Sequence, residues 1–237
     1  MYKAASRALL CALLLTAASA ASASEDAVRK AMNAFIGKPV VENVRKTPYA
    51  GLYEVQLDSG ELIYTDEKVG FIIDGRIIDT ERRIDVTEQR RNELMAIDFS
   101  ILPLENAIKQ VRGDGSRIIA SFEDPNCGYC KRLWSELERL DNITVYTFLY
   151  PLLGEDSYVK ARNIWCAKDR AATWNAWMLD NRQPPNASCD LAAVEANVKL
   201  GRSLRVQGTP TLFFADGRRV GGFLRGDQLE QVFSEIK

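Results

Sequence analysis

Two cysteines, Cys127 and Cys130, stand three positions apart inside FEDPNCGYCKRLW, Phe122 to Trp134. They come just after an apolar run, and the residues after them carry a helical period, which puts the pair at the start of a helix. Three kinds of chemistry use this spacing: a redox couple, half of a metal site, or a structural bridge. The helix start favours the first. Its unpaired N–H groups and partial positive charge stabilise a thiolate over a thiol. Asn126 is a good N-cap and would make Cys127 the first helical residue. Lys131 and Arg132 add positive charge nearby. Cys127 is therefore expected to have a depressed pKa and to be the attacking group. Cys130 lies on the same helix face and can resolve a mixed disulfide formed on Cys127. Gly128 and Tyr129, between the two sulfurs, are expected to support the site and tune that balance.

The other readings of the pair are weaker. A zinc site wants four ligands, typically as two close pairs. The remaining candidates, Cys166 and Cys189, are 23 positions apart, and the chain has no histidine. No metal is expected. The lack of histidine also excludes Ser–His and Cys–His catalysis and c-type haem attachment, since Lys131 follows the pair where that motif needs His. Cys166 and Cys189 fall in a helical stretch. A disulfide between them would contribute about 3 kcal/mol by loop closure, which favours a structural staple over a second redox couple.

The N-terminus, MYKAASRALLCALLLTAASAASA, has a basic start, a short apolar run and two small-residue cleavage sites. It reads as a secretory signal peptide over residues 1–23. Cys11 leaves with it, and four cysteines remain for an oxidising compartment. The net charge of -1 gives no reason to expect nucleic acid as a partner.

The elements that must position the pair lie in two parts. Residues 24–84 form a small unit without cysteine. It begins with an amphipathic helix from Glu25 to Gly37, with Ala27, Met32, Phe35 and Ile36 inward and Gly37 as C-cap. Four short strands follow, near 52–57, 61–65, 69–73 and 76–79, separated by hairpin punctuation such as Ser59-Gly60 and Asp74-Gly75. So small a unit buries little surface and leaves strand edges open, so dimerisation through it is expected. Residues 85–113 read as linker helices, one over Asp85 to Asp98 and one ending at Gly113. Residues 114–237 then run strand, helix, strand, helical insert, strand, strand, helix, the order of a thioredoxin fold with an insert. Ahead of the third strand stands VQGTPTLFF. In thioredoxin-like proteins a proline at this place is cis and faces the CxxC, so Thr209 and Pro210 join the expected site. A cis peptide bond is uncommon and usually deliberate. The open backbone beside it could pair with an extended substrate.

Together, DPNCGYCK (Asp124 to Lys131), IWCAKD (Ile164 to Asp169), ASCD (Ala187 to Asp190) and GTPT (Gly208 to Thr211) resemble the bacterial periplasmic DsbC-type disulfide isomerases. The resemblance runs over the whole mature chain. It implies a homodimer joined through α+β, cystatin-like N-terminal domains, with linker helices leading to thioredoxin-like catalytic domains. It implies Cys127 as nucleophile, Cys130 as resolving thiol, Cys166–Cys189 as a structural disulfide and Pro210 as the cis-proline. It also implies misfolded disulfide-containing exported proteins as substrates, a DsbD-type membrane reductase as partner, and chaperone activity. No cofactor is needed, because electrons travel as thiols. In one respect the chain departs from cytosolic thioredoxins. They carry a buried Asp six residues before the first cysteine, where this chain has Ser121, so proton management must differ. Three other readings stay open: a DsbG-like thiol reductase protecting single cysteines, although such relatives usually have Pro where this chain has Gly128; a monomeric DsbA-like oxidase; and a mainly chaperone role.

Overall fold

The computed structural model describes residues 24–236, so the expected signal segment lies outside the described residues. The chain divides into two compact units at Arg91/Asn92.

The first unit opens with helix α1 over 24–36. Gly37, at φ +77, ends it as expected, its N–H donating to Asn33 O. The inward face differs from the expected one. Val28 and Met32 are buried, while Phe35 is 71% exposed. Next come β1 (Val41–Lys46), β2 (Tyr53–Leu57), β3 (Leu62–Thr65) and β4 (Ile72–Ile73), which form an antiparallel sheet in that order. Strand β1 was not anticipated. Its register shifts between Val41 and Asn43, and only Val41 and Val44 are buried, so it shows no period of two. β5 (Ile78–Asp79) pairs with β6 (Ile84–Asp85), and α2 (Val86–Leu94) follows. The first residues of α2 are tied to the sheet by polar contacts: Tyr64 Oη to Thr87 Oγ1 at 2.5 Å, and Arg90 Nε to Glu54 Oε1 at 3.0 Å.

In the second unit the expected helix ending at Gly113 is absent. Residues Leu104–Asn106 form one 3₁₀ turn, and β7 (Ile108–Arg112) is a strand paired antiparallel with β9 (Ile143–Leu149). Pairing across the sheet edge overrides the local helical pattern. Residues 108–112 therefore belong to the same sheet as β8 (Arg117–Glu123) rather than to a helical linker. The sheet order is β11-β10-β8-β9-β7, with β8 and β9 parallel and the other pairs antiparallel. β10 is Thr211–Phe214 and β11 is Arg219–Gly221. The helices are α3 (Gly128–Leu137), α4 (Glu155–Trp165), α5 (Arg170–Met178), α6 (Ala192–Ser203) and α7 (Gly226–Glu235). The expected helical insert is made of three helices, α4 to α6.

β8 feeds two core layers by strand alternation. Ala120 and Phe122 pack with Phe148, Tyr150 and Phe213 on one face. Ile119 packs on the other with Leu133, Trp134 and Leu137 of α3 and with Trp174 of α5. Ser121 and Glu123 share the Ile119 face by the same alternation. The four Trp residues, Trp134, Trp165, Trp174 and Trp177, are buried, in keeping with core packing.

The loop between β8 and α3 is held by Asp124, which is fully buried. Its carboxylate accepts from Asn126 N at 2.7 Å, Leu152 N at 2.6 Å, Leu153 N at 2.9 Å and Ser157 Oγ at 2.7 Å. It therefore binds the loop before Cys127 to the loop after β9. Asp124→Ala should cost about 3 kcal/mol, because buried donors lose a charged acceptor. Urea denaturation of the reduced protein measures this, and a cost below about 1 kcal/mol would contradict it.

Gly201 gives a second check. In an exposed helix, Ala in place of Gly stabilises by about 1 kcal/mol. Here a Cβ would lie 2.5 Å from the Tyr150 ring. Gly201→Ala should therefore destabilise by about 1–3 kcal/mol, the ordinary cost of overpacking. A gain in denaturation midpoint would contradict this packing.

Candidate active site

The structure brings Cys127, Cys130, Thr209 and Pro210 together. Cys127 is itself the N-cap of α3, one residue later than the cap expected from the sequence, Asn126. Its sulfur takes the place of a capping oxygen, accepting from Cys130 N–H at 3.3 Å. Asn126 is released from capping. Its side-chain amide instead donates to Asp156 Oδ2 at 2.7 Å and Ser157 Oγ at 3.0 Å. On the other side, Cys127 Sγ donates to the Thr209 carbonyl at 3.2 Å, and the Thr209–Pro210 bond is cis. Trp177 Nε1 donates to Pro125 O at 2.5 Å, so α5 also holds the approach to the site.

The two thiols have opposite environments. Cys127 is 6% exposed, and Cys130 is fully buried. Hydrogen bonding from the Cys130 thiol is the largest effect on Cys127. Burial opposes it, while the Thr209 side chain and the backbone N–H groups of Cys130 and Tyr129 reinforce it. The result brings Cys127 down to about 6 from an ordinary thiol value of 9.0. Cys130 is pushed well above the ordinary thiol range, first by burial, then by its bond to Cys127 and by the charges of Glu123 and Cys127. One sulfur is thus ready to attack at neutral pH and the other keeps its proton.

Lys131 and Arg132 turn to aromatic rings. Lys131 Nζ lies 3.8 Å from the centre of Trp177 and Arg132 4.6 Å from that of Phe223. Tyr129 is 59% exposed beside the sulfurs, and a Cβ at Gly128 would meet nothing within 4 Å. Both positions between the cysteines are therefore open to solvent rather than set by core packing. Cys166 and Cys189 stand apart from the pair, joined to each other in a disulfide.

Sequence reasoning missed Glu123. It is fully buried, and Trp134 Nε1 donates to both its carboxyl oxygens, at 3.0 and 2.9 Å. Burial is the largest effect and, with the charge of Cys127, pushes it up to about 8, against the Trp134 hydrogen bonds. The available signal was an acidic residue on the inward face of a continuous apolar strand, two positions on from Ser121.

Comparison with known proteins agrees with this architecture. A thioredoxin-like domain model matches residues 104–237, and a disulfide bond isomerase protein N-terminal domain model matches residues 19–88. A probable thiol:disulfide interchange protein DsbC of Bordetella parapertussis is 55% identical over 190 residues, covering 80% of this chain and 67% of the relative. The DsbC protein of Escherichia coli is 28% identical over 197 residues, covering 81% of each. A crystal structure of a disulfide interchange protein from Neisseria gonorrhoeae superposes with a TM-score of 0.54 at 39% identity, covering 56% of this chain and 97% of that one. With the same two domains in the same order, and with identity of this level over most of its length, the chain belongs to the DsbC/DsbG family of thioredoxin-like proteins.

Proposed function

We propose that the protein is a periplasmic thiol:disulfide isomerase and reductase that works through Cys127 and Cys130. The observation that carries this reading is the asymmetry of the two sulfurs. One is a capped thiolate with a pKa of about 6, and the other is a buried thiol. The Cys127 thiolate attacks a wrong disulfide in an exported protein, forming a mixed disulfide and freeing one substrate thiolate. That thiolate attacks another substrate sulfur, and rearrangement expels Cys127 unchanged. If rearrangement stalls, Cys130 attacks Cys127 Sγ. The reduced substrate leaves, and the enzyme's Cys127–Cys130 disulfide is returned to the dithiol by a DsbD-type membrane reductase. Thr209 and Pro210 border the sulfur on the side where an extended substrate would lie, and exposed Tyr129 offers it an apolar surface. Cys166–Cys189 serves as a staple and stays outside the exchange.

Residues 24–84 act as the dimerisation unit in this reading. Exposed Phe71, Ile72, Ile73 and Ile78, with β4 at the sheet edge, support that role. Substrates are misfolded disulfide-containing proteins, and chaperone activity accompanies the exchange.

The test mixes reduced protein with a scrambled multi-disulfide substrate in a glutathione buffer and follows recovery of substrate activity. Catalysed recovery is expected, falling to the glutathione background in Cys127→Ser. Recovery that survives this substitution would contradict the proposal. Cys130→Ser should keep part of the isomerase activity and accumulate substrate bound through Cys127, visible as a mass adduct that thiols remove. For the quaternary state, sedimentation should give a dimer that Ile72→Asp with Ile73→Asp converts to monomer. A wild-type monomer would contradict the dimerisation role.

A further inference from the structure

Nucleophilic attack by Cys127 leaves one buried ionisable group of the site unused. Glu123, the last residue of β8, lies on the strand face that carries Ile119 and packs against α3, and is fully shielded from solvent. Its two oxygens accept from Trp134 Nε1, and Trp134 stands one helical turn after the buried Cys130 on the same face of α3. A carboxyl in such a layer is costly unless it is paired or neutral. Packing therefore gives no reason to keep it, whereas the buried thiol beside it does. Cys130 must lose a proton before it can attack, and it has no direct route to water.

We propose that Glu123 is the proton acceptor for Cys130 in the resolving step, and so sets how long a mixed disulfide survives on Cys127; this rests on the dithiol reading above. With substrate attached to Cys127, the Glu123 carboxylate takes the Cys130 proton. The Cys130 thiolate attacks Cys127 Sγ, the Cys127–Cys130 bond forms and the bond from Cys127 to substrate breaks. Substrate leaves as a thiolate carrying the electron pair. The proton stays on Glu123 until re-reduction expels Cys130 as a thiolate, which takes it back. When Glu123 is protonated it cannot accept, so the mixed disulfide persists and substrate has time to rearrange. When it is ionised, resolution is fast and the reaction ends in reduction. The side chain thereby divides the chemistry between isomerisation and reduction.

The ionisable groups acting on Glu123 are the two cysteines of the α3 N-terminus. Its register partner on β9 is Leu149, and β10, on the other side of β8, is TLFF and has no ionisable side chain. Neighbouring Asp124 is committed to Asn126, Leu152, Leu153 and Ser157. Of the two cysteines, Cys127 raises the Glu123 pKa by its charge, which is gone once Cys127 is in a mixed disulfide. The working value in the resolving step therefore lies at or below about 8.

The test uses the reduced full chain and one equivalent of the aromatic disulfide dithiobis-nitrobenzoate. Attack by Cys127 releases a first coloured thiolate, and attack by Cys130 on the resulting adduct releases a second. In the wild type the second rate should rise with pH, break at or below about pH 8 and then level. In Glu123→Gln the ratio of second to first rate should fall about 100-fold near neutral pH, the usual scale of a lost general base, and the break should vanish. A ratio and a break that both survive in Glu123→Gln would overturn the proposal. If that variant gives no cooperative unfolding transition, the wild-type profile decides: a log-linear rise to about pH 10 without a break overturns it. Release of only one equivalent by the wild type would remove the dithiol reading and this proposal with it. That result is distinct from two phases without the break.

Discussion

The contact on which the site depends is between the Cys127 sulfur and the open end of α3. A helix begins with N–H groups that have no partner inside it, and here a sulfur supplies the acceptor, through Cys130 N–H at 3.3 Å. The same contact ends the turn, starts the helix and stabilises charge on the nucleophile. Much of the surrounding structure serves it. Asp124 fixes the loop that delivers Cys127, and Trp177 holds Pro125.

That stabilisation is paid back in pH dependence. The folded pKa of Cys127, about 6, lies below its ordinary value of 9.0. Folding of the reduced protein therefore gains stability that is present above the ordinary value and lost as pH falls through about 6. Forming the Cys127–Cys130 disulfide removes the charge and the gain together. The reduced form is thus favoured relative to the oxidised one at neutral pH, so a Cys127–Cys130 disulfide, once formed, is readily reduced again and the dithiol is restored for attack. Cys130 behaves in the opposite way: burial keeps it a neutral thiol until a base beside it is ready.

The chemistry of the pair was legible in the sequence because it depends on local features. The spacing of Cys127 and Cys130, the helical period after them and the Thr209–Pro210 before a strand all survive in the structure. The thioredoxin order of elements was legible too, since β8, α3 and β9 have strong periods. What escaped depends on tertiary pairing. β7 carries a helix-like pattern but lies at a sheet edge against β9, and the register shift in β1 hides its alternation. The cap moved by one residue because Asn126, a better cap by type, is engaged by Asp156 and Ser157 across the loop. Glu123 escaped because its burial comes from α3 packing over β8, with Trp134 as its partner, which no local pattern of the strand records.

The site works as described only if one sulfur is ionised at neutral pH while its neighbour is not. Thiolate absorbance of the reduced protein, followed against pH and compared with Cys127→Ser, measures this directly. A single thiolate should appear with a midpoint near pH 6, absent from Cys127→Ser, with Cys130 still protonated well past the ordinary thiol value. Two thiolates appearing together near pH 9, the ordinary thiol value, would contradict it.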